Sequence, residues 1–351
     1  MPHTEIARGA LDRLPALLAD HVGAARVALV TDDSVWLHHG AALAARLGAD
    51  TVVARIQPGE GNKTRTSWAA ITDQLLAAGC DRDVIIVGLG GGVMTDLAGF
   101  VAATYLRGVS WVAVPTTLLA MVDAAHGGKT GLDTTHGKNL VGAFHDPRLI
   151  VIDPDALASL PAPIWRDGFA EVLKHGIIAD HAYFRLVVDQ LPALLAAEGS
   201  RLPLVDEIVA GSIRIKQAIV QSDPREQGRR RVLNFGHTIG HAIEQVAHFA
   251  ISHGEAVAIG LCVEARIGAA LGITPVATAD AIALAVTRAS FPSEVPADLD
   301  RDALLAATRS DKKSRRGAAR YALPRALGEM EAAQGEWAVA VDDAVVRAAI
   351  G

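Results

Sequence analysis

The feature that most narrows the fold is a series of five short, almost wholly apolar runs in the first half of the chain. They are Val27-Ala-Leu-Val-Thr31, Thr51-Val-Val-Ala54, Val84-Ile-Ile-Val87, Trp111-Val-Ala-Val114 and Leu149-Ile-Val-Ile152. A strand with one wet face alternates apolar and polar residues, whereas a continuous apolar run belongs to a strand covered on both faces. Helical stretches separate the runs, so the pattern predicts a parallel sheet between helices, the α/β plan of a nucleotide-binding domain. Pro161-Ala-Pro163 then punctuates the chain. Beyond it the periodicity turns helical, over about 167–178, 204–221, 237–247, 255–271 and 278–288. The expected architecture is an α/β N-terminal domain with a parallel sheet over 1–160 and an all-helical C-terminal domain over 161–351.

Composition excludes several function classes. Half of the residues are hydrophobic (50%) and 21% are charged, enough to build packed cores and the opposite of a disordered chain. The formal net charge is −6, and the basic clusters Arg229-Arg230-Arg231 and Lys312-Lys313-Ser314-Arg315-Arg316 are too isolated for a nucleic-acid footprint. No charge-free apolar run approaches the roughly 20 residues that span a bilayer. Met1 to Leu14 carries Glu5, Arg8, Asp12 and Arg13, which leaves no signal-peptide core. Cys80 and Cys262 are the only cysteines, too few for a disulfide framework. A cytoplasmic protein with no nucleic-acid or membrane partner is expected.

Four stretches carry chemistry. Gly88-Leu-Gly90-Gly91-Gly92-Val-Met-Thr-Asp96 follows a strand and opens a helix. Such glycines let backbone N–H groups approach a pyrophosphate at the helix N-terminus. A tight strand-to-helix turn is the bland alternative; nucleotide binding is favoured, although the spacing is not the Rossmann fingerprint. Pro58-Gly59-Glu60-Gly61-Asn62-Lys63-Thr64 and Thr116-Thr117 also follow strands, and strand ends on one sheet edge converge on a ligand crevice. Asp123-Ala-Ala-His-Gly-Gly128-Lys129 and His136-Gly137-Lys138-Asn139 set lysines beside glycines, suited to an anionic ligand or simply to solvated loops. Lastly, Glu171 and Lys174 lie one helical turn apart, His237 and His241 stand at i and i+4, and His253-Gly-Glu255 opens another helix. One carboxylate with imidazoles suits a catalytic zinc-type ion. A single buried histidine is more often a hydrogen-bonded core residue, but glycines beside these histidines clear space for a ligand.

These residues, together with Tyr105-Leu-Arg107-Gly, Val114-Pro-Thr-Thr-Leu-Leu, Gly137-Lys-Asn-Leu, Ala170-Glu-Val-Leu-Lys174, Asn234-Phe-Gly-His-Thr-Ile-Gly-His-Ala-Ile-Glu244, His253-Gly-Glu-Ala-Val-Ala and Asp311-Lys-Lys313, resemble the 3-dehydroquinate synthase family, in order from about residue 27 to about 325. The resemblance implies an NAD domain and a helical metal domain, usually in a homodimer. It implies Glu171, His237 and His253 as ligands to one divalent ion, zinc or cobalt, with His241 in an outer or proton-handling role. NAD contacts would fall on Asp32, Glu60, Lys63, Gly91, Gly92, Asp96, Thr116, Thr117, Lys138, Ser159 and Leu160. The catalytic and substrate set would be Lys129, Lys174, Lys216, Glu226, Arg230 and Asn234, with Asp123, Asn139 and Lys312 contacting substrate and Arg107 reaching a phosphate from the partner subunit.

The implied substrate is a small sugar-acid phosphate, 3-deoxy-D-arabino-heptulosonate 7-phosphate, cyclised with loss of phosphate and with NAD restored in each cycle. Ser34, Thr95, Ser159 and His175 depart from the family's usual asparagine, glycine, threonine and tyrosine. Three rivals stand beside this reading. Other sugar-phosphate cyclases include 2-deoxy-scyllo-inosose, valiolone and aminodehydroquinate synthases, and the first two lack a substrate carboxylate. A metal-dependent polyol dehydrogenase would not need so many cationic side chains. A non-catalytic binding protein would not need the intact ligand set.

Overall fold

A computed structural model describes residues 2–310 and 319–351. The elements run β1 His3–Ile6, α1 Leu14–His21, β2 Val27–Asp32, α2 Asp33–Val35, α3 Ala41–Leu47, β3 Val52–Ile56, α4 Arg65–Ala77, β4 Ile85–Gly90, α5 Gly92–Thr104, β5 Trp111–Pro115, β6 Lys129–Thr134, β7 Gly137–Phe144 and β8 Leu149–Ile152. Helices α6 Ala162–Asp167, α7 Phe169–Ala179, α8 His181–Leu194, α9 Leu204–Ser222, α10 His237–Val246, α11 His253–Ala270, α12 Val276–Arg288, α13 Arg301–Ser310 and α14 Asp343–Ile350 follow. Two compact units result: 1–161 with 200–210, and 162–199 with 211–351.

In the first unit a six-stranded, all-parallel sheet has the order β1-β8-β5-β4-β2-β3. The five apolar runs form its five inner and outer strands from β3 to β8. β2, β4, β5 and β8 are buried at every position, as continuous apolar sequence requires. The sixth strand, β1, pairs with β8 at the edge and has only partly buried or exposed residues. Its sequence, His3-Thr-Glu-Ile6, gave no such run. Residues 123–140, whose glycine-flanked lysines suit an anionic ligand, run into and form much of the antiparallel hairpin β6–β7.

The second unit is mostly helical, not all-helical. Two antiparallel ribbons pair Pro324–Ala326 with Glu329–Met330 and Arg320–Tyr321 with Val339–Ala340. Helix α11 is its spine: Ala256, Ile259, Val263 and Ile267 are all fully buried and join Ile239 and Ile243 of α10 in one core. This core fixes the α10–α11 pair, which carries the histidines.

Candidate active site

The first unit's sheet has a topological switch point between β2 and β4. From β2 the chain steps outward to β3, and from β4 it proceeds the other way through β5 to β8. Ligands of open α/β sheets settle outside the carboxyl ends of the strands at such a point. Asp32 ends β2 there, and Gly90-Gly91-Gly92 runs from β4 into α5. Gly90 has φ +150°, and a Cβ on it would meet Met94 Cγ at 2.6 Å, so the turn excludes any side chain. Helix α5 begins without a side-chain cap. Asp32 Oδ1 accepts from Ser34 N (2.9 Å), Val35 N (2.9 Å) and Ser34 Oγ (2.6 Å), which locks the carboxylate in place and occupies the serine that departs from the family pattern.

Around the same edge four expected residues meet. Lys63, 3% exposed, sets Nζ 2.7 Å from Glu60 Oε1 and 3.2 Å from Asp96 Oδ2. Lys138 Nζ stands 3.8 Å from Glu60 Oε1. A fifth member went unread in the sequence: Asp133 Oδ1 is 3.6 Å from Lys63 Nζ and accepts from Asn139 N at 2.8 Å. The hairpin brings it there, with Asp133 N donating to Lys63 O at 2.7 Å. Burial depresses the Lys63 ammonium's affinity for its proton, but Asp96, Glu60 and Asp133 more than reverse this and hold it charged. Burial would raise the Glu60 carboxyl, yet Lys63 and Lys138 hold it below its ordinary value. Asp133 is pushed up to about 6 by burial, with Lys63 opposing and Glu60 adding to the rise.

The remaining first-unit residues are more scattered. Thr116 N donates to Gly90 O at 2.9 Å, and Thr117 Oγ1 accepts from Ala120 N at 3.2 Å, so both threonines line the glycine turn. Thr95 Oγ1 returns to Gly92 O. Ser159 Oγ contacts His39 Nε2 at 2.9 Å, and Leu160 N closes the turn onto Leu157 O. Asp123 is partly buried before β6, Lys129 is exposed at its start, and Arg107 is exposed in a left-handed turn with φ +70°.

In the second unit three helix segments deliver the metal-type set. Glu171 lies on α7, while His237 and His253 are the first residues of α10 and α11. The α11 start is capped by Ser252, whose Oγ accepts from Glu255 N at 3.3 Å. The α10 start has no such side chain, because its cap is Gly236 in the left-handed region at φ +80°. The fully buried Glu264 of α11 supplies the cap from outside. Its Oε2 accepts from Gly236 N at 2.8 Å and its Oε1 from Ile239 N at 3.1 Å. The helices cross at Gly260, where a Cβ would lie 1.9 Å from Gly236 O.

Glu171 Oε1 is 3.3 Å from His237 Nε2 and 3.7 Å from His253 Nε2, and one ligand atom from each of the three lies within 4.8 Å of the others. Lys174 Nζ forms an ion pair with Glu171 Oε2, and both residues are buried. The Glu171 oxygens are sealed from solvent and lack a well-aligned hydrogen bond among the described residues. A carboxylate so placed, facing two Nε2 atoms, fits a divalent ion with N and O ligands. Burial would raise the Glu171 carboxyl, but Lys174 and His237 hold it well below the ordinary range. Burial lowers His237, with Lys174 adding to the effect. Burial alone would lower His253 too, yet Glu171 and Glu244 push it up to about 10.

Glu244 is the second residue that sequence reading passed over as a site member. It is 2% exposed and sets Oε1 3.3 Å from His253 Nδ1. A signal existed, since it stands seven residues after His237 on the same helix face. His241, one turn after His237, stacks edge-on with it at 5.3 Å between ring centroids. Asn234 Nδ2 donates to Glu226 Oε1 at 2.6 Å. Arg230 is 2% exposed and donates from Nη1 to Pro224 O at 2.6 Å, on a loop pinned by Asp223 through the N–H groups of Gln227, Gly228 and Arg230. Lys216 is buried on α9. His175, unusual for the family, is buried with Nδ1 2.6 Å from Ser212 Oγ. Lys312 lies outside the described residues.

A parallel nucleotide-type unit and a mostly helical unit with a carboxylate–imidazole set define the class: an enzyme with the elements for a nucleotide cofactor and for a divalent ion. The narrower assignment follows from direct comparison. Residues 53–167 match the model of the 3-dehydroquinate synthase N-terminal domain and 168–314 that of the C-terminal domain. The chain is 42% identical over 334 residues to 3-dehydroquinate synthase of Caulobacter vibrioides (strain NA1000 / CB15N), covering 92% of this chain and 90% of the relative. It belongs to the 3-dehydroquinate synthase family. Among solved structures it is similar to the 2-epi-5-epi-valiolone synthase ValA of Streptomyces hygroscopicus subsp. jinggangensis 5008, with NAD+ and Zn2+ bound (28% identity, TM-score 0.89, 100% of this chain and 96% of the other). The fold also matches 2-deoxy-scyllo-inosose synthase complexed with carbaglucose-6-phosphate, NAD+ and Co2+ (24% identity, TM-score 0.88, 99% and 95%).

Proposed function

We propose that the chain is a carbon–oxygen lyase that converts 3-deoxy-D-arabino-heptulosonate 7-phosphate to 3-dehydroquinate and inorganic phosphate, as family membership implies. The observation within the molecule that best supports this is the Glu171–His237–His253 set with Lys174 against it, a site for an oxygen-rich anionic substrate beside a divalent ion. When bound, NAD supplies a hydride acceptor that is restored each cycle, and zinc or cobalt supplies a Lewis acid.

The residues divide the remaining work. Glu171, His237 and His253 hold the ion, and the Lys174 ammonium balances the carboxylate beside it. Gly91 and Gly92 bring backbone toward a pyrophosphate, with Asp96, Thr116, Thr117, Ser159 and Leu160 around the cofactor. Asp32 and Glu60 repel a ribose phosphate, which favours NAD over NADP. Lys63 and Lys138 fix Glu60. Lys129, Lys216, Arg230 and Lys312 bind the substrate's phosphate and carboxylate, where arginine pairs bidentately. Asp123, Asn139 and Asn234 orient its hydroxyls, and Glu226 holds the Asn234 amide. His241 moves protons at its ring nitrogens.

We assign a homodimer in which the exposed Arg107 serves the partner's substrate. No helix among the described residues is long and apolar enough to cross a membrane. Cys80 and Cys262 are unpaired, in keeping with a reducing cytoplasm.

The deciding experiment follows inorganic phosphate by colorimetry and NADH by absorbance in one cuvette, with metal-loaded protein, the heptulosonate phosphate and catalytic NAD. Phosphate should accumulate over many turnovers with no net NADH. Stoichiometric NADH would make the protein a dehydrogenase, and absence of phosphate would remove this substrate.

A further inference from the structure

We infer that Glu244 is a positioning residue of the metal centre, whose carboxylate takes the Nδ1–H of His253 and commits that imidazole to presenting Nε2 beside Glu171. The inference rests on the metal reading proposed above and concerns a residue outside the three ligands. An imidazole that ligates a metal carries one N–H, and the acceptor facing one nitrogen decides which nitrogen gives its lone pair to the ion. His253 has carboxylates on both sides: Glu244 Oε1 lies 3.3 Å from Nδ1, and Glu171 Oε1 lies 3.7 Å from Nε2. Only one of these carboxylates stands within reach of the other ligands. Glu171 Oε1 is 3.3 Å from His237 Nε2, whereas Glu244 sits on the far side of the His253 ring, 2% exposed.

The two histidines are therefore held by different means. His237 Nδ1 lies 3.3 Å from the backbone oxygen of Phe235, a neutral acceptor supplied by its own chain segment. His253 is held by a charged acceptor from another helix. Helix α10 thus carries one ligand at its first residue and the holder of the other ligand seven residues later. A carboxylate behind an imidazole fixes the ring and makes it a stronger donor than a carbonyl does, and loss of such a group costs about 10–100-fold in metal affinity. The rival for the same atoms is a second cation among His241, Glu244 and His253, whose ligand atoms also lie within 4.8 Å of one another. That would require His253 to give up its last proton and bridge two ions.

The test uses the full chain, stripped with a chelator and titrated with Co2+, read by the d–d absorption bands and by metal analysis. Wild-type protein should bind one cobalt per chain. Glu244→Ala should weaken binding about 10–100-fold and shift the bands, and Glu244→Gln, which keeps an oxygen but loses the charge, should weaken it by less, about threefold or more. NAD affinity and the melting temperature of the metal-free protein serve as controls that a merely structural defect would move. Glu244→Ala with wild-type affinity and spectrum overturns the inference. If Glu244→Ala does not fold, Glu244→Gln decides alone: weakened binding supports the inference, and unchanged binding overturns it. A second cobalt per chain lost in Glu244→Ala assigns Glu244 as a ligand and also overturns it. Wild-type protein that takes up no cobalt fails the underlying metal reading, which separates that failure from this one.

Discussion

The strand-edge group of the first unit and the metal set of the second unit place polar atoms by different physics. At the strand edge, topology and bare backbone do the placing: the switch between β2 and β4 and a glycine turn without side chains. Charge there is spread over Glu60, Lys63, Asp96, Asp133 and Lys138, partly open to solvent. In the second unit, helix ends deliver side chains: the fully buried Glu264 holds the start of α10, the Ser252 hydroxyl caps α11, and the buried Glu171 is paired with Lys174. A backbone-built site tolerates changes in its side chains, because the donors remain. A site built from buried side chains fails when one of them is removed, because the partners stay behind in low dielectric.

The hardest test of that contrast removes a ligand. His237→Ala should lose stoichiometric metal and reduce phosphate release by on the order of a thousandfold, while NAD titration by calorimetry stays near wild type. A parallel loss of NAD affinity would break the comparison. A smaller effect is expected when the holder of a helix end is removed. Glu264→Ala leaves the N–H groups of Gly236 and Ile239 buried without their acceptor, and urea unfolding should report a loss of about 3 kcal/mol. A change below about 0.5 kcal/mol, the size of ordinary surface substitutions, would show that water replaces the carboxylate.

The smallest effect belongs to the strand edge. Asp133 titrates near 6 in the folded chain against 3.8 ordinarily, so the fold binds its proton more tightly than the unfolded chain does. That contribution is fully present below about pH 4 and is lost as pH rises through 6. Asp133→Asn should therefore melt roughly 2 °C higher than wild type at pH 8, the two curves merging below pH 4. A variant less stable at every pH would mean that the attraction to Lys63 outweighs the strain of burial.

The same contrast governs how much could be read in advance. Apolar runs gave β2, β3, β4, β5 and β8, and helical spacing gave α7 and α9 to α12, because each is a local pattern that tertiary structure reinforces. The i, i+3 pair Glu171–Lys174 and the glycine turn were legible for the same reason. Strand β1 was not, since its four residues His3-Thr-Glu-Ile6 are mostly polar and none is fully buried, and α8, α13 and α14 escaped as well. Asp133 and Glu264 were hidden more deeply. One is delivered by a hairpin read as loop, and the other caps a helix of which it is not part, so no spacing in the chain connects it to Gly236.

The crossing of α10 over α11 at Gly260 and Gly236 has a meaning for sequence change. A single methyl at Gly260 would overlap the carbonyl oxygen of Gly236, the residue just before His237. Drift at this position is closed, although Gly260 contributes no donor, acceptor or charge through a side chain. In a saturation library it would behave like a ligand, and a ranking by chemistry alone would overlook it. The imidazoles of His237 and His253 thus depend on the lack of a side chain several turns away, and a designer wishing to move this centre to another scaffold would have to carry that empty space along with the residues.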